Sequence, residues 1–149
     1  MNIRWSCKKF ADLSVDELYA ILALRSTVFV VEQQCVFLDI DYKDQPGHHL
    51  MAWNAEKLVA YSRLLPAAVA YPQASIGRVV TASTVRGSGV GRQLMQRSIE
   101  MCYALYGKQP LRIGAQFHLR HFYASFGFKQ VSEVYDEDGI DHIQMLKEE

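Results

Sequence analysis

The order of predicted elements indicates a single α/β domain, an α+β sandwich in which a mixed sheet carries helices on both faces. Short apolar runs typical of strands alternate with helical patterns along the chain. Half of the 149 residues are hydrophobic and 21% are charged, which excludes disordered, collagen-like and coiled-coil chains. A chain of this length buries about 68 to 70% of its unfolded surface, so residues 1–149 form one domain without a disulfide or metal.

The first two elements are a strand and a capped helix. Residues 3–7 alternate apolar and polar side chains, which predicts a strand. Ser14 and Glu17 have the spacing of a capping box, which predicts a helix that begins there. Apolar residues then recur at helical spacing, so we expect one helix face to be buried as far as Arg25.

The next segments are a loop and a hairpin. Residues 28–31 fit a strand or a buried helix equally well, and residues 39–47 predict a polar loop. Residues 50–54 and 58–65 predict two strands joined by a short turn. A loop over 66–75 follows.

The second half predicts strands around two helices. Residues 76–82 and 111–115 are typical of strands, and residues 89–106 form a helical pattern that ends at Gly107. Residues 118–126 predict a short helix before Gly127. The chain ends with strands predicted over 128–135 and 142–147, on either side of an acidic turn.

Net charge is zero, but its distribution is uneven. Residues 1–60 carry six basic and eight acidic groups, residues 61–112 seven and one, and residues 113–149 three and seven. A basic segment inside a neutral protein favours a compact polyanionic ligand. Its basic residues lack aromatic interleaving, so we expect no nucleic-acid partner.

The cysteines and apolar runs indicate the compartment. Cys7, Cys35 and Cys102 are odd in number and have no C-x-x-C spacing, so we expect reduced thiols. No stretch suits a signal peptide or the roughly 20 apolar residues of a membrane span. We expect a cytoplasmic protein with no membrane partner.

The most informative segment is a glycine-rich loop over residues 86–92, between a predicted strand and a predicted helix. Gly87, Gly89 and Gly91 permit a tight turn that leaves backbone N–H groups uncovered at the positive end of the helix. The spacing matches neither the dinucleotide fingerprint nor the Walker loop. The loop is either a phosphate site or a plain connector.

The spacing of Arg86, Gly89 and Gly91, [QR]-x-x-G-x-[GA], resembles the coenzyme A loop of the GNAT N-acetyltransferases. Gln116, together with F-Y-x-x-x-G-F over residues 122–128, resembles that family's second block. Segments of the front half and the turn before His142 are similar to its small ElaA-type branch. The resemblance covers nearly the whole chain and implies a mostly antiparallel central sheet.

The resemblance implies that acetyl-CoA is the cosubstrate and that a primary amine attacks its thioester directly. The amine could be a small molecule or a lysine side chain, and a homodimer is compatible with the family. The residues implied in cofactor binding are Val79, Val80, Thr81, Arg86, Gly87, Ser88, Gly89, Val90, Gly91, Arg92, Gln116 and Tyr123.

Proton transfer needs further groups. Tyr123 matches the family's tyrosine acid, although it also lies on the apolar stripe of its helix and could be a core residue. For a base, Glu32 follows an apolar run and His142 lies beside the acidic turn. Glu32 could instead be a surface or ion-paired residue, for example with Arg25, and water could replace either base.

The clustered acidic residues have a simpler interpretation than metal binding. Asp39, Asp41 and Asp44 fail the EF-hand pattern, because Asp44 stands where glycine is needed. We expect no metal. These aspartates and the acidic residues of 136–141 predict solvated loops, or an acidic rim that attracts a cationic amine.

Two alternatives remain open. The front-half pattern that includes Arg25, Phe29, Glu32, Asp41 and Asp44 is similar to acyl-homoserine-lactone synthases. A non-catalytic acyl-CoA-binding regulatory protein would keep the same pocket without turnover.

Overall fold

A sheet of eight strands forms the centre of the computed structural model, which describes residues 1–149. The strands are β1 Ile3–Lys9, β2 His48–Asn54, β3 Lys57–Leu65, β4 Ala74–Thr81, β5 Leu111–Gln116, β6 Lys129–Gln130, β7 Tyr135–Glu137 and β8 Ile140–Lys147. The order across the sheet is β1, β2, β3, β4, β5, β8, β6, and β7 also pairs with β8. Only β4 and β5 are parallel. The predicted mixed, mostly antiparallel sheet is confirmed.

Helices cover both faces of this sheet. They are α1 Val15–Arg25, α2 Val90–Tyr106 and α3 Arg120–Ala124, with 3-10 turns at Phe10–Asp12, Ser83–Val85 and Phe117–Leu119. Ile21 and Leu24 of α1 pack with Met51 and Tyr61 of β2 and β3. On the other face, α2 and α3 pack on a larger cluster that includes Met95, Ile99, Tyr123, Ile113 and Leu111.

The start of α1 has the predicted capping box. Ser14 Oγ accepts a hydrogen bond of 3.0 Å from the Glu17 N–H, and the Ser14 N–H donates to Glu17 Oε1 at 2.8 Å. The last residue of α1, Arg25, is fully buried, as the apolar spacing predicted. A local sequence signal therefore defines where this helix begins and which face it buries.

The ambiguous apolar run after α1 is a π-helical segment, Ser26–Glu32. Its bonds reach five residues back, from the Gln33 N–H to Val28 O at 3.2 Å and from the Cys35 N–H to Val30 O at 3.0 Å. Val28 is buried and Val31 is exposed, so the run is half-buried helix and not strand. Such segments occur frequently at functional sites.

Two predicted elements near the C-terminus are wrong in detail. The strand expected over 128–135 is divided into β6 and β7, because the Gln144 N–H donates to the Ser132 side chain at 2.8 Å and interrupts the ladder. The helix expected over 118–126 begins as a 3-10 turn, and α3 is only five residues long. The predicted hairpin is present as β2 and β3.

The aspartates of the loop over 39–47 are not solvated, which corrects the sequence-based expectation, although other residues of the loop, such as Tyr42, are exposed. Three arginines from three elements meet these aspartates in what we call the inner ion network: Arg25, Arg63, Arg78, Asp39, Asp41 and Asp44. Asp39 and Asp44 are only 5% and 6% exposed. Buried carboxylates persist when paired and hydrogen-bonded, which the arginines supply. The acidic residues of 136–141 are exposed, as predicted.

The three cysteines are unpaired and are buried or half-buried, as expected. None of the helices is both long enough and apolar enough to cross a membrane.

Candidate active site

A cleft opens where β4 and β5 diverge. The two strands pair only at Ala74 with Leu111 and at Ser75 with Arg112. A bulge in β4 brings Arg78 to a left-handed φ of 49° and shifts its register against β3. Beyond Ser75, the edge of β4 that faces β5 therefore has no strand partner, and its backbone groups border an open space.

This cleft has a volume of about 840 Å³. Its lining includes eight of the predicted site residues: Glu32, Val79, Val80, Thr81, Arg86, Gln116, Tyr123 and His142. The structure thus brings together the candidate acid, both candidate bases and the β4 segment. Residues 87–92 lie outside the lining, at the N-terminal end of α2.

The glycine loop has the backbone conformation that its sequence predicted. Gly87 and Gly89 have left-handed φ values of 82° and 89°, which favour glycine, and Gly89 is the N-cap of α2. The first N–H groups of α2, from Val90 to Arg92, have no partner within the helix, as at any helix N-terminus. No side chain caps this helix either. Uncovered N–H groups at a helix N-terminus suit an anion.

Not every loop residue is free for a ligand. The Ser88 hydroxyl donates to Val85 O. Gly91 has no positive φ, and an added Cβ would lie 3.7 Å from Thr81 Cγ2, an ordinary contact. Arg92 donates to Ser125 Oγ at 3.0 Å and lies over the Phe126 ring at 4.7 Å, so α3 holds it near the loop.

Arg86 and Glu32 form an ion pair at the mouth of the cleft. Arg86 Nη2 lies 2.7 Å from Glu32 Oε1 and also donates to Thr81 O at 3.0 Å. The side chains are 45% and 33% exposed. Glu32 is therefore ion-paired, as the sequence analysis considered. Its partner is Arg86, however, and not the Arg25 suggested there.

Tyr123 is both a core residue and a cleft residue. Only 8% of it is exposed, and its ring packs against Phe122 and Phe128. Its hydroxyl makes no hydrogen bond with the protein, although the residue lines the cleft. Burial raises the pKa of Tyr123 to about 12, so the hydroxyl keeps its proton at neutral pH. Tyr123 therefore presents a protonated hydroxyl, with no partner in the protein, to the cleft.

His142 has both ring nitrogens engaged. Nδ1 donates to Ile140 O at 2.7 Å, since a carbonyl can only accept, and Nε2 lies 3.2 Å from Glu137 Oε2. The ring also stacks on Tyr135. Both ring nitrogens therefore already have a partner within the protein.

Sequence reasoning missed several cleft residues, among them Phe37, Arg78 and Gly114. Gly114 had a signal, because an isolated glycine inside a strand often marks close approach of another group. A Cβ there would lie 2.9 Å from the Tyr71 hydroxyl oxygen. Phe37 and Arg78 had no local signal, since their positions depend on the inner ion network and the β4 bulge.

Distant structural neighbours agree on the fold. The AHL synthase LasI has a TM-score of 0.81 at 12% identity, with 99% of this chain and 90% of that chain covered. An acetyltransferase of the GNAT family from Elizabethkingia anophelis, with acetyl-CoA bound, has a TM-score of 0.65 at 17% identity, covering 99% and 98%. At these identities the likeness shows the fold alone.

Closer relatives show the family. Protein ElaA of Escherichia coli is 46% identical over 98% of this chain and 97% of its own. An acyl-CoA N-acyltransferase from Pseudomonas aeruginosa has a TM-score of 0.94 at 46% identity, covering 98% and 99%. The family model of the acetyltransferase (GNAT) domain matches residues 25–149. The chain therefore belongs to the GNAT acetyltransferase family, and it is an acyltransferase.

Proposed function

We propose that the protein transfers an acetyl group from acetyl-CoA to a primary amine by direct attack on the thioester. One observation carries the proposal: the cleft between β4 and β5 is lined by the unpartnered Tyr123 and by Arg86, the first residue of the glycine loop, which continues to the uncapped N-terminus of α2. A phosphate-binding end and a proton donor then lie along one ligand path.

The cofactor phosphates bind the glycine loop in this proposal. The N–H groups of Gly87 and of residues 89–92 receive the pyrophosphate, and Arg86 and Arg92 add positive charge, whereas the Ser88 N–H already donates to Val85 O at 3.2 Å. The pantetheine arm lies along residues 79–81, whose β5-facing edge has no strand partner and can bond an extended ligand as a sheet edge does. Gln116, whose amide reaches Gln33 at 3.4 Å, borders the same path.

The proposed reaction requires two proton transfers, one from the amine and one to the departing sulfur. Deprotonating an alkylammonium with a pKa near 10.4 to the neutral amine at pH 7 costs about 4 to 5 kcal/mol. The neutral nitrogen attacks the thioester carbon, the C–S bond breaks, and the amide nitrogen loses its extra proton. Tyr123 donates to the departing sulfur, and solvent restores its proton.

Glu32 is the better of the two candidate bases. His142 has no free nitrogen, whereas Glu32 is held only by Arg86 at the cleft mouth. A phosphate that engages Arg86 competes with this ion pair and frees the carboxylate. Cofactor binding thereby exposes a base beside the reaction path.

The lactone-synthase alternative has less support. Two of the residues that suggested it, Arg25 and Asp44, belong to the inner ion network and do not line the cleft. Their presence is explained by packing. The regulatory alternative remains distinguishable by experiment, because it predicts acetyl-CoA binding with no acetylation of any amine.

The test is Tyr123→Phe, which removes one hydroxyl. We expect kcat to fall about 100-fold, the lower end for loss of general acid catalysis, while acetyl-CoA affinity stays within about twofold. Thiol release measures turnover, and thermal stabilisation measures binding. The matched control is Tyr103→Phe, which removes another unpartnered hydroxyl, one outside the cleft lining. Unchanged turnover in Tyr123→Phe would remove the acid role.

A further inference from the structure

One residue inside the central sheet has a strained backbone. Arg78 is the only non-glycine residue within a strand that has a positive φ, at 49°. The pairing of β3 with β4 shifts at this position, so that two residues of β4 oppose the single residue Ser62 of β3. A left-handed conformation costs free energy for any residue with a Cβ, so surrounding contacts must hold it in place.

The Arg78 side chain makes contacts that can hold this conformation. Nη2 donates to Asp39 O at 2.8 Å and to Asp41 Oδ2 at 3.3 Å. Nε lies 2.8 Å from Asp39 Oδ1, as an ion pair without hydrogen-bond alignment. The guanidinium also lies over the Phe37 ring, 5.9 Å from its centroid. Each of these partners belongs to the segment that contains the aspartates of the inner ion network.

The two aspartates are themselves fixed by other elements. Arg25 Nε of α1 lies 2.7 Å from Asp39 Oδ2. Arg63 of β3 donates to both carboxylate oxygens of Asp41, at 2.7 and 2.9 Å. Arg78 is therefore bound to an anchor that α1 and β3 hold in position. A side chain with fixed partners restricts the backbone that carries it.

The bulge at residue 78 bears on how far β4 and β5 remain paired. Their pairing ends at Ser75, three residues before the bulge. A bulged strand bends and twists more strongly than a regular one. If residue 78 adopted the ordinary extended conformation, β4 would lose this bend and could continue its pairing with β5 past Ser75. The free edge over residues 79–81 would then be covered by β5.

We propose that Arg78 is a positioning residue: Asp39 and Asp41 bind its guanidinium and thereby hold residue 78 in the left-handed conformation that keeps the edge of β4 open. This inference rests on the proposed function for the ligand of that edge, the pantetheine arm of coenzyme A. The inner ion network then has a second role, because it sets the shape of the cofactor path as well as the position of the loop over 39–47.

The test compares Arg78→Gly with Arg78→Ala. Both variants remove every contact of the guanidinium, so a direct role of its charge, or a loss of stability at the aspartates, affects them equally. Glycine adopts a positive φ without steric cost, whereas alanine does not. We expect coenzyme A to bind Arg78→Ala about fivefold more weakly than Arg78→Gly, the lower end for a left-handed conformation. Isothermal titration calorimetry measures both affinities.

The control makes the same exchange away from the cleft. Ala55, in the turn between β2 and β3, has a similar φ of 54°, is exposed and lies outside the cleft lining. Ala55→Gly should leave the affinity for coenzyme A unchanged. A difference as large as that at position 78 would overturn the inference, because relief of strain anywhere in the fold would then have the same effect.

A second readout needs no ligand. Amide hydrogen exchange reports how well a strand N–H is protected by hydrogen bonding. We expect the amides of residues 76–81 to exchange more slowly in Arg78→Ala than in Arg78→Gly, because renewed pairing protects those that face β5.

A second pair of variants covers the case in which alanine at position 78 prevents folding. Arg78→Asn and Arg78→Gln both introduce an amide, and asparagine tolerates a left-handed φ better than glutamine does. We expect Arg78→Asn to bind coenzyme A more tightly than Arg78→Gln.

The outcomes separate this inference from the proposed function. Equal coenzyme A affinity in the two variants of a pair would overturn the inference and leave amine acetylation standing. If the wild-type protein binds no coenzyme A, the proposed function fails and hydrogen exchange decides the inference alone. Slower exchange in Arg78→Ala than in Arg78→Gly would then support it, and equal exchange would overturn it.

Discussion

Two arginine–carboxylate pairs in this molecule have the same length and opposite surroundings. Arg25 Nε lies 2.7 Å from Asp39 Oδ2, and Arg86 Nη2 lies 2.7 Å from Glu32 Oε1. The side chains of the first pair are 0% and 5% exposed, and those of the second are 45% and 33% exposed. Distance is equal, so any difference in their roles comes from burial.

Burial makes the first pair a structural part of the fold. Exposure of the second pair allows a ligand to replace one of its partners. In the inner ion network Arg25, Asp39 and Asp44 are almost fully withdrawn from water, and removal of one partner leaves a buried charge with too little compensation. At the cleft mouth, water and salt screen the pair and can replace either partner at little cost. The same chemical contact therefore fixes the loop over 39–47 in the inner ion network, whereas at the cleft mouth a ligand can displace it.

The sharpest way to break this comparison is to remove one arginine from each pair. We expect Arg25→Met to lower the free energy of unfolding by about 3 kcal/mol, because the buried Asp39 and Asp44 each lose one of their two arginine partners. Arg86→Met, the matched control, should lower it by less than about 1 kcal/mol. Urea unfolding of both variants measures this. Similar losses would show that burial does not separate the two pairs.

This contrast also shows which structural features sequence patterns could predict and which they could not. The capping box at Ser14 and the left-handed glycines at 87 and 89 were predictable, since each depends on residues a few positions apart. The aspartates at 39 and 44 were predicted as solvated because their partners are distant along the chain: Arg63 follows Asp44 by 19 positions. Charge alone gave no indication of which carboxylates would be buried.

The candidate site shows the same division. Tyr123, Glu32 and the glycine loop were predicted to belong to one site, and the cleft brings the first two together. The pairing of Glu32 with Arg86 joins positions 54 residues apart and was not predicted. The engagement of both nitrogens of His142 was not predictable either, since it depends on the local geometry of the β7 and β8 turn.

The second prediction sharpens the comparison through pH. Burial alone would raise the pKa of Asp41, but hydrogen bonds and charge from Arg63 hold it below its usual range, and Arg25 and Arg63 do the same for Asp44. A depressed folded-state pKa contributes stability above the unfolded value of about 3.9, and that stability is lost as pH falls further. The network should therefore weaken progressively below about pH 4.

A buried histidine adds an earlier phase. Burial lowers the pKa of His49, which donates to Asp44 O at 2.9 Å and lies 2.7 Å from the Tyr61 hydroxyl. Its stabilising effect is complete above its unfolded pKa of about 6.5 and is lost below that. We expect the free energy of unfolding to fall from pH 7 to 5 and again from pH 4 to 3, as measured by urea titration. A flattened profile in Arg86→Met would instead assign the acid response to the exposed pair.

The smallest effect tests whether the exposed pair is exchangeable. In Glu32→Gln, Arg86 no longer has a competing carboxylate, so we expect coenzyme A to bind about two- to fivefold more tightly, the range of a surface ion pair. Thermal stabilisation by coenzyme A measures this. Glu56→Gln, which removes an exposed charge at the turn between β2 and β3, is the control and should leave affinity within about 1.5-fold.

The same variant separates two roles of Glu32 that a loss of activity alone would merge. If the carboxylate only restrains Arg86, Glu32→Gln binds coenzyme A more tightly and keeps its kcat. If it also accepts the proton from the amine, tighter cofactor binding accompanies a lower kcat, and raising the pH restores part of the rate as more amine becomes neutral. Weaker coenzyme A binding would contradict both roles, because it would mean that Glu32 orients Arg86 toward the phosphates instead of competing with them.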